Sequence, residues 1–304
     1  MARTLEGRLG PSRRRRTVLA PLPVGCLMDV HLDPVRDVPA LVIEPEHRNA
    51  SRTLVVSDVH LGLGASRERP GGPFEGSSDR LADELVRIVR ASRADRVLIA
   101  GDAKHPIVGT PPALRGVVFD FFSHLLGEAI PVELVLGNHD VGIVPHLPRE
   151  VTVHPATGVV RDGVGIFHGH RWPSNAVLRA SRLVAGHLHP GFRLAPTVDD
   201  PEGKRRCWVR VELPEPPPPP RRHRRRVELQ SREIVILPAF NPIAGTEALN
   251  RDRPARGRSF LYRRFLARGT ARAYLLDGTD LGPLTIPDAP RRRSRATSAA
   301  PQGR

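Results

Sequence analysis

The chain has 304 residues, 39% of them hydrophobic, enough for a full apolar core, and no run approaches the ~18 apolar residues that would read as a membrane span. Aromatic content of 4% leaves few base-stacking platforms, and the two cysteines, Cys26 and Cys207, give neither a disulfide framework nor a zinc-finger spacing, which fits a reducing cytoplasm. The formal charge of +15 invites a nucleic-acid reading, but residues 1–16, 214–226 and 291–304 carry +5, +4 and +5 of it, so the remainder is close to neutral. Such Arg-rich blocks bind polyanions loosely and in a salt-dependent way, and they specify no shaped groove. Nucleic acid therefore stays open as a partner.

Residues 1–28 read as a disordered Arg- and Pro-rich extension, because they lack the apolar periodicity that would repay ordering. Arg13 to Arg16 before Thr17-Val-Leu-Ala has the outline of an export signal, but Pro21 and Pro23 break the apolar stretch and no Ala-x-Ala site follows. The functional protein is expected to start at or near Met28. Residues 39–44 read as a first strand and 53–57 as a second. A Gly-, Pro- and Arg-rich stretch from Gly62 to Ser78 is either a substrate-covering loop or an ordinary one. Ser78 is the expected cap of a helix whose apolar face is Leu81, Leu85, Ile88 and Val89. After a strand at 96–100, Thr110 is the expected cap of a second helix, with Pro111 in its first turn, running to about Leu126. Strands follow at 132–136, 164–167 and 182–185. This alternation of strand and helix implies a mainly parallel sheet.

Past His189 the pattern changes to strands at 207–213 and 233–237, joined by an extended Pro/Arg insertion at 214–226. A short helix at 259–266 and a last strand at 271–276 precede a disordered basic tail at 289–304. The expected organisation is one domain over residues 29–288.

Five of the strands end in polar residues of one chemical kind. They run into Asp58-x-His60, Gly101-Asp102, Gly137-Asn-His-Asp140, His168-Gly-His170 and Gly186-His-Leu-His189. Ligands of open α/β sheets sit at the carboxyl ends of strands. Core histidines would be scattered along the runs instead. Carboxylate, imidazole and amide oxygen together suit a borderline divalent ion such as manganese, iron or zinc. The candidate ligands outnumber what one ion takes, which points to two. His187 and His189 are two apart, so on an extended segment they point the same way. Lys104 and His105, just past Asp102, are either phosphate-holding donors or loop residues.

In kind and in order these five motifs resemble the calcineurin-like metallophosphoesterase superfamily over roughly residues 40 to 190. Gly101-Asp-Ala-Lys-His105, His168-Gly-His, His189-Pro190 and Leu237-Pro-Ala-Phe-Asn-Pro242 bring the resemblance nearer to the small ICC-like, SbcD-related phosphoesterases. The Asp-Arg-Gly that follows the second motif in protein Ser/Thr phosphatases is absent. The resemblance implies a four-layer α/β/β/α sandwich of two mixed sheets flanked by helices. It implies one divalent ion on Asp58, His60, Asp102 and His189, and a second on Asp102, Asn138, His168 and His187. Manganese is the expected ion, with iron or zinc as alternatives. A hydroxide bridging the two would attack phosphorus in line, His139 would protonate the leaving alkoxide, and Asp140 would hold the His139 ring. His170 is left as a phosphate contact, and Asn241 is given no chemistry. A phosphodiester is the leading substrate class, and a phosphomonoester on a small metabolite or nucleotide is the alternative. A polyanion-binding scaffold with a relict metal site is the non-enzymatic alternative.

Overall fold

The computed structural model describes residues 31–45, 51–63, 75–196, 203–213, 233–251 and 259–285. The N-terminal extension, most of the Gly62-to-Ser78 stretch, the Pro/Arg insertion and the basic tail lie outside the described residues. Two sheets form the frame. The first has six strands in spatial order β1 (His31–Pro34), β2 (Leu41–Glu44), β3 (Thr53–Val56), β4 (Arg96–Ile99), β5 (Val132–Val135) and β6 (Thr152–His154). Strands β3 to β6 run parallel, as the strand–helix alternation implies, whereas β1 and β2 add antiparallel at one edge. The second sheet centres on parallel β8 (Val164–Phe167), β9 (Arg182–Ala185) and β12 (Glu233–Ile236). Around them lie β7 (Val159–Arg161), β10 (Pro190–Arg193), β11 (Lys204–Glu212), β13 (Glu247–Ala248), β14 (Thr270–Leu275) and β15 (Asp280–Pro283).

Successive side chains of a strand face opposite ways, and the burial follows that period. Leu54, Val56, Val97, Ile99, Val132 and Leu134 face the helices α1 (Glu75–Ser92) and α2 (Pro112–Gly127). Val55, Leu98 and Val135 face the other way and meet Val164, Ile166, Val184, Val235 and Trp208 of the second sheet. The outer face of that sheet, with Leu183, Ala185, Ile234 and Ile236, packs on α3 (Asn175–Leu178) and α4 (Phe260–Arg264). The result is the expected α/β/β/α sandwich. The seam between the sheets also holds a buried carboxylate. Glu133 of β5 is met by Arg161 of β7, His154 of β6 and Arg96 of β4. Burial works against its charge, but His154 and Arg161 hold its carboxyl down at about 2.

Local expectations differ from the structure at three of the places the sequence addressed. The strand expected first, at 39–44, is β2 (Leu41–Glu44), and it pairs with β1, which His-Leu-Asp-Pro concealed because its edge position needs no apolar alternation. Helix α1 starts at Glu75, so Ser78 sits inside it rather than capping it. Thr110 does not cap α2. Its hydroxyl donates to the Gly142 carbonyl at 2.9 Å, and Pro111 occupies the cap position without a side-chain bond. The last helix behaves as its sequence implies, with Ser259 Oγ accepting from the Tyr262 amide. No described helix is long and apolar enough to cross a membrane.

Candidate active site

Parallel strands from both sheets end at one edge of the sandwich. Strands β3, β4 and β5 deliver Asp58 and His60, Asp102, and Asn138, while β8 and β9 deliver His168, and His187 and His189. Five of these residues leave their strands through left-handed backbone: Asp58 (φ 59°), His60 (48°), Asp102 (55°), His187 (74°) and His189 (45°). Non-glycine residues seldom adopt that conformation, and strain of this kind gathers at functional sites. His187 and His189 therefore do not lie on an extended segment. They turn into two different groups of donors.

In the first group, Asp58 Oδ1 lies 3.1 Å from His189 Nε2 and 3.9 Å from His60 Nε2. The two imidazole nitrogens are 3.1 Å apart. Asp58 Oδ2 is occupied by the Ser57 hydroxyl and the His187 amide. Oδ1 is buried and accepts no hydrogen bond, so its remaining role is toward the histidines. Burial keeps His60 neutral, down at about 3 despite Asp58 and Asp102, and a neutral ring is the form that ligates a metal.

In the second group, His168 Nε2 lies 3.1 Å from Asp102 Oδ2 and 3.2 Å from Asn138 Oδ1, with His187 beside them. His168 Nδ1 donates to the Ala100 carbonyl at 2.9 Å, which turns Nε2 toward the site. Burial works against a charged His168, but Asp102 outweighs it and raises the ring to about 9. A proton is thus the placeholder that a cation would displace. Asp102 Oδ2 also lies 4.0 Å from His60 Nε2, so one carboxylate faces both groups. The donor set, the bond-free oxygen of Asp58 and the shared Asp102 fit two divalent ions.

Glycines permit the close approach. A Cβ on Gly137 would lie 2.1 Å from Asp102 Oδ1, and one on Gly186 would lie 1.7 Å from Ser57 Oγ. The second contact joins the two sheets at the site itself.

The structure reassigns three residues. Asp140 does not hold the His139 ring. Its oxygens accept the amides of Gly137, Asp102 and Lys104, at 2.8, 2.9 and 3.3 Å, and so lock two loops together. The His139 ring is held instead through Nδ1, which donates to the His105 carbonyl, while Nε2 lies 3.7 Å from Asp102 Oδ2. Lys104 is buried, and its ammonium donates to the carbonyls of Pro106 and His139, which ties its loop to that of His139. The other two phosphate candidates do sit at the site. His105 lies with its ring centroid 5.7 Å from that of His139, and His170 lies 5.4 Å from His168. Sequence reasoning missed the role of Asn241. Its Nδ2 donates to the Val59 carbonyl at 2.9 Å, and the Phe240 amide donates to the Ser57 carbonyl at 2.8 Å, so the Leu237-to-Pro242 motif props the Asp58–His60 turn.

Residues 51–194, which carry every ligand candidate, match the family model for calcineurin-like phosphoesterases. Those residues carry that family's domain. The chain is a hydrolase of phosphoester bonds that depends on divalent metal. The scaffold reading with a relict site is set aside, since all five motifs stand together in space. Among solved structures, the chain is similar to the nuclease MPE of Pseudomonas putida, at 18% identity with a TM-score of 0.47, over 83% of this chain and 100% of that one. It is also similar to YfcE, a phosphoesterase from E. coli, at 16% identity with a TM-score of 0.36, over 77% and 98%. No curated protein matches the sequence significantly.

Proposed function

We propose that the enzyme holds two divalent ions, manganese by preference, and cleaves a phosphodiester with His139 as general acid. The observation that carries the reading is the placement of His139. Its Nδ1 is fixed on a backbone carbonyl and its Nε2 lies at the Asp102 edge of the donor groups, so the free nitrogen faces the reacting centre. Asp58, His60, Asp102 and His189 would hold one ion, and Asp102, Asn138, His168 and His187 the other. When bound, such ions supply an acidified water as nucleophile and neutralise phosphate charge.

The chain's own groups do the rest. Asp102 accepts the His139 amide at 2.8 Å through Oδ1 and keeps Oδ2 toward the site. Asp140 and Lys104 hold the two loops that carry Asp102 and His139 in register. His139 Nε2–H donates a proton to the departing alkoxide, and diesters of poor leaving groups gain most from that. His105 and His170 sit beside the donor groups as contacts for phosphate oxygens. Burial pushes His170 down to about 4, so it would act by hydrogen bond rather than by charge. The test is a manganese-stimulated assay on bis-p-nitrophenyl phosphate beside p-nitrophenyl phosphate. A higher kcat/KM on the diester is expected. Turnover of the monoester alone would sink the diesterase reading.

A further inference from the structure

We propose that Ser57 is a positioning residue for the first ion: its hydroxyl holds one oxygen of Asp58, so that the other is the one presented to His60 and His189. The proposal rests on the two-ion reading above. It concerns a residue that supplies no ligand atom of its own.

Ser57 and Asp58 are both fully buried. Ser57 Oγ donates to Asp58 Oδ2 at 2.5 Å, and the His187 amide donates to the same oxygen at 3.0 Å. The hydroxyl has a second acceptor within reach, the Ala100 carbonyl at 3.4 Å. That carbonyl already accepts His168 Nδ1 at 2.9 Å. The carboxylate oxygen is nearer, and hydrogen bonds to an ionised acceptor are about twice as strong as neutral ones. Ser57 therefore directs its proton to Asp58. Its freedom to turn away is small. A Cβ on Gly186 would lie 1.7 Å from Ser57 Oγ, so the hydroxyl fills the room that glycine leaves. The backbone is pinned as well, since the Ser57 carbonyl accepts the Phe240 amide.

The terminal torsion of an Asp side chain is broad, so a carboxylate points where its donors hold it. Asp102 shows the same division of labour: Oδ1 accepts the His139 amide and Oδ2 faces the site. There the donor is backbone. At Asp58 part of the hold is a side chain, which a substitution can remove. Without the hydroxyl, the His187 amide alone would hold Oδ2, and no solvent reaches this buried pair to take the vacated place. Oδ1 accepts no hydrogen bond and lies 3.1 Å from His189 Nε2 and 3.9 Å from His60 Nε2, so its direction is what the first ion depends on. Partners that orient a metal ligand are typically worth about 10–100-fold in metal affinity.

The test equilibrates the full chain against graded free manganese and counts bound ions by elemental analysis. The wild type should hold two. Ser57→Ala should weaken one of them by about 10–100-fold and leave the other unchanged. Raising free manganese should then recover its rate on whichever nitrophenyl ester the wild type turns over, because the loss is one of occupancy. Asn138→Ala removes a ligand of the second ion alone, and adding Ser57→Ala to it should weaken the ion that remains. Ser181→Ala is the control. It deletes a hydroxyl that bonds the Gly163 carbonyl at 3.0 Å, at the end of β9 opposite His187, and both affinities should match the wild type. Unchanged affinities in Ser57→Ala overturn the proposal. So does an equal loss of both ions with a lowered melting temperature, since Ser57 would then act only by packing, and so does a rate that stays low with both ions bound. A wild type that holds a single ion ends the two-ion reading, and the shift of that ion in Ser57→Ala still decides the role of Ser57.

Discussion

Gly137→Ala tests whether Asp102 is held where both donor groups need it. Gly137 has no left-handed backbone, so the effect of the substitution is purely one of space. The added Cβ would lie 2.1 Å from Asp102 Oδ1 and 2.3 Å from the Asp102 amide nitrogen, where ordinary contact begins near 3.4 Å. One of the neighbours must move by about 1 Å, and a misplacement of that size costs about 10²-fold in rate. The neighbour is not a flexible tip. The Asp102 amide is bonded to Asp140 Oδ2, and the Gly137 amide bonds that same oxygen, so the movement strains the whole junction. Overpacking of this kind destabilises by about 1–3 kcal/mol, with each kcal/mol lowering Tm by about 2–4 °C in a chain of this size. The assay is metal content by elemental analysis, a thermal melt, and kcat/KM on bis-p-nitrophenyl phosphate. The variant should lose ions from both groups and at least 10²-fold in rate. Gly127→Ala, with nothing within 4 Å of the new Cβ, is the control and should match the wild type. Wild-type metal content and rate in Gly137→Ala would refute the bridging geometry.

Asp102→Ala should abolish activity and release metal from both positions, and elemental analysis that still finds two ions would show that Asp102 is not shared. His139→Ala should keep both ions and lose about 10²–10⁴-fold on esters of poor leaving groups, with a smaller loss on nitrophenyl esters. Equal loss on both kinds would exclude the acid. Glu133 titrates at about 2 in the fold against an ordinary 4.5, so the unfolded chain binds more protons between those values. Its contribution to stability is present above about pH 4.5 and is lost as pH falls toward 2. Glu133→Gln should therefore flatten the loss of melting temperature across that window. An unchanged slope would mean that the cluster at the seam carries none of the acid sensitivity.

The layers and the strand ends that gather the candidate ligands were legible in the sequence because both depend on short-range pattern. Apolar runs of four or five residues ending in Asp, Asn or His mark buried strands whose tips meet one cleft. The partnerships across the cleft were not legible. Asp140 and His139 are neighbours in sequence, which made a side-chain pair attractive, but the Asp140 carboxylate reaches amides 38 and 36 residues away. Lys104 beside Asp102 reads as a phosphate donor until its burial shows that backbone carbonyls hold it. Asn241 lies 182 residues from the carbonyl it supports, and no local signal could assign it. Strand β1 was missed for a different reason: an edge strand with alternating exposure needs little apolar content.

Each donor group draws on both sheets. Asp58 and His60 of the first sheet meet His189 of the second, and Asp102 of the first meets His168 and His187 of the second. The sheets are also bonded directly at this edge, through His168 Nδ1 to the Ala100 carbonyl and the His187 amide to Asp58 Oδ2. Such a site cannot exist before the seam between the sheets has closed. Its left-handed residues are unfavourable on their own, and surrounding structure must over-determine them to keep them in place. The Asp140 amide bonds, the Lys104 carbonyl bonds and the Asn241 prop supply that surrounding structure, one to each of the loops that bear Asp102, His139 and His60. They hold the backbone of the cleft by contacts the chain makes with itself.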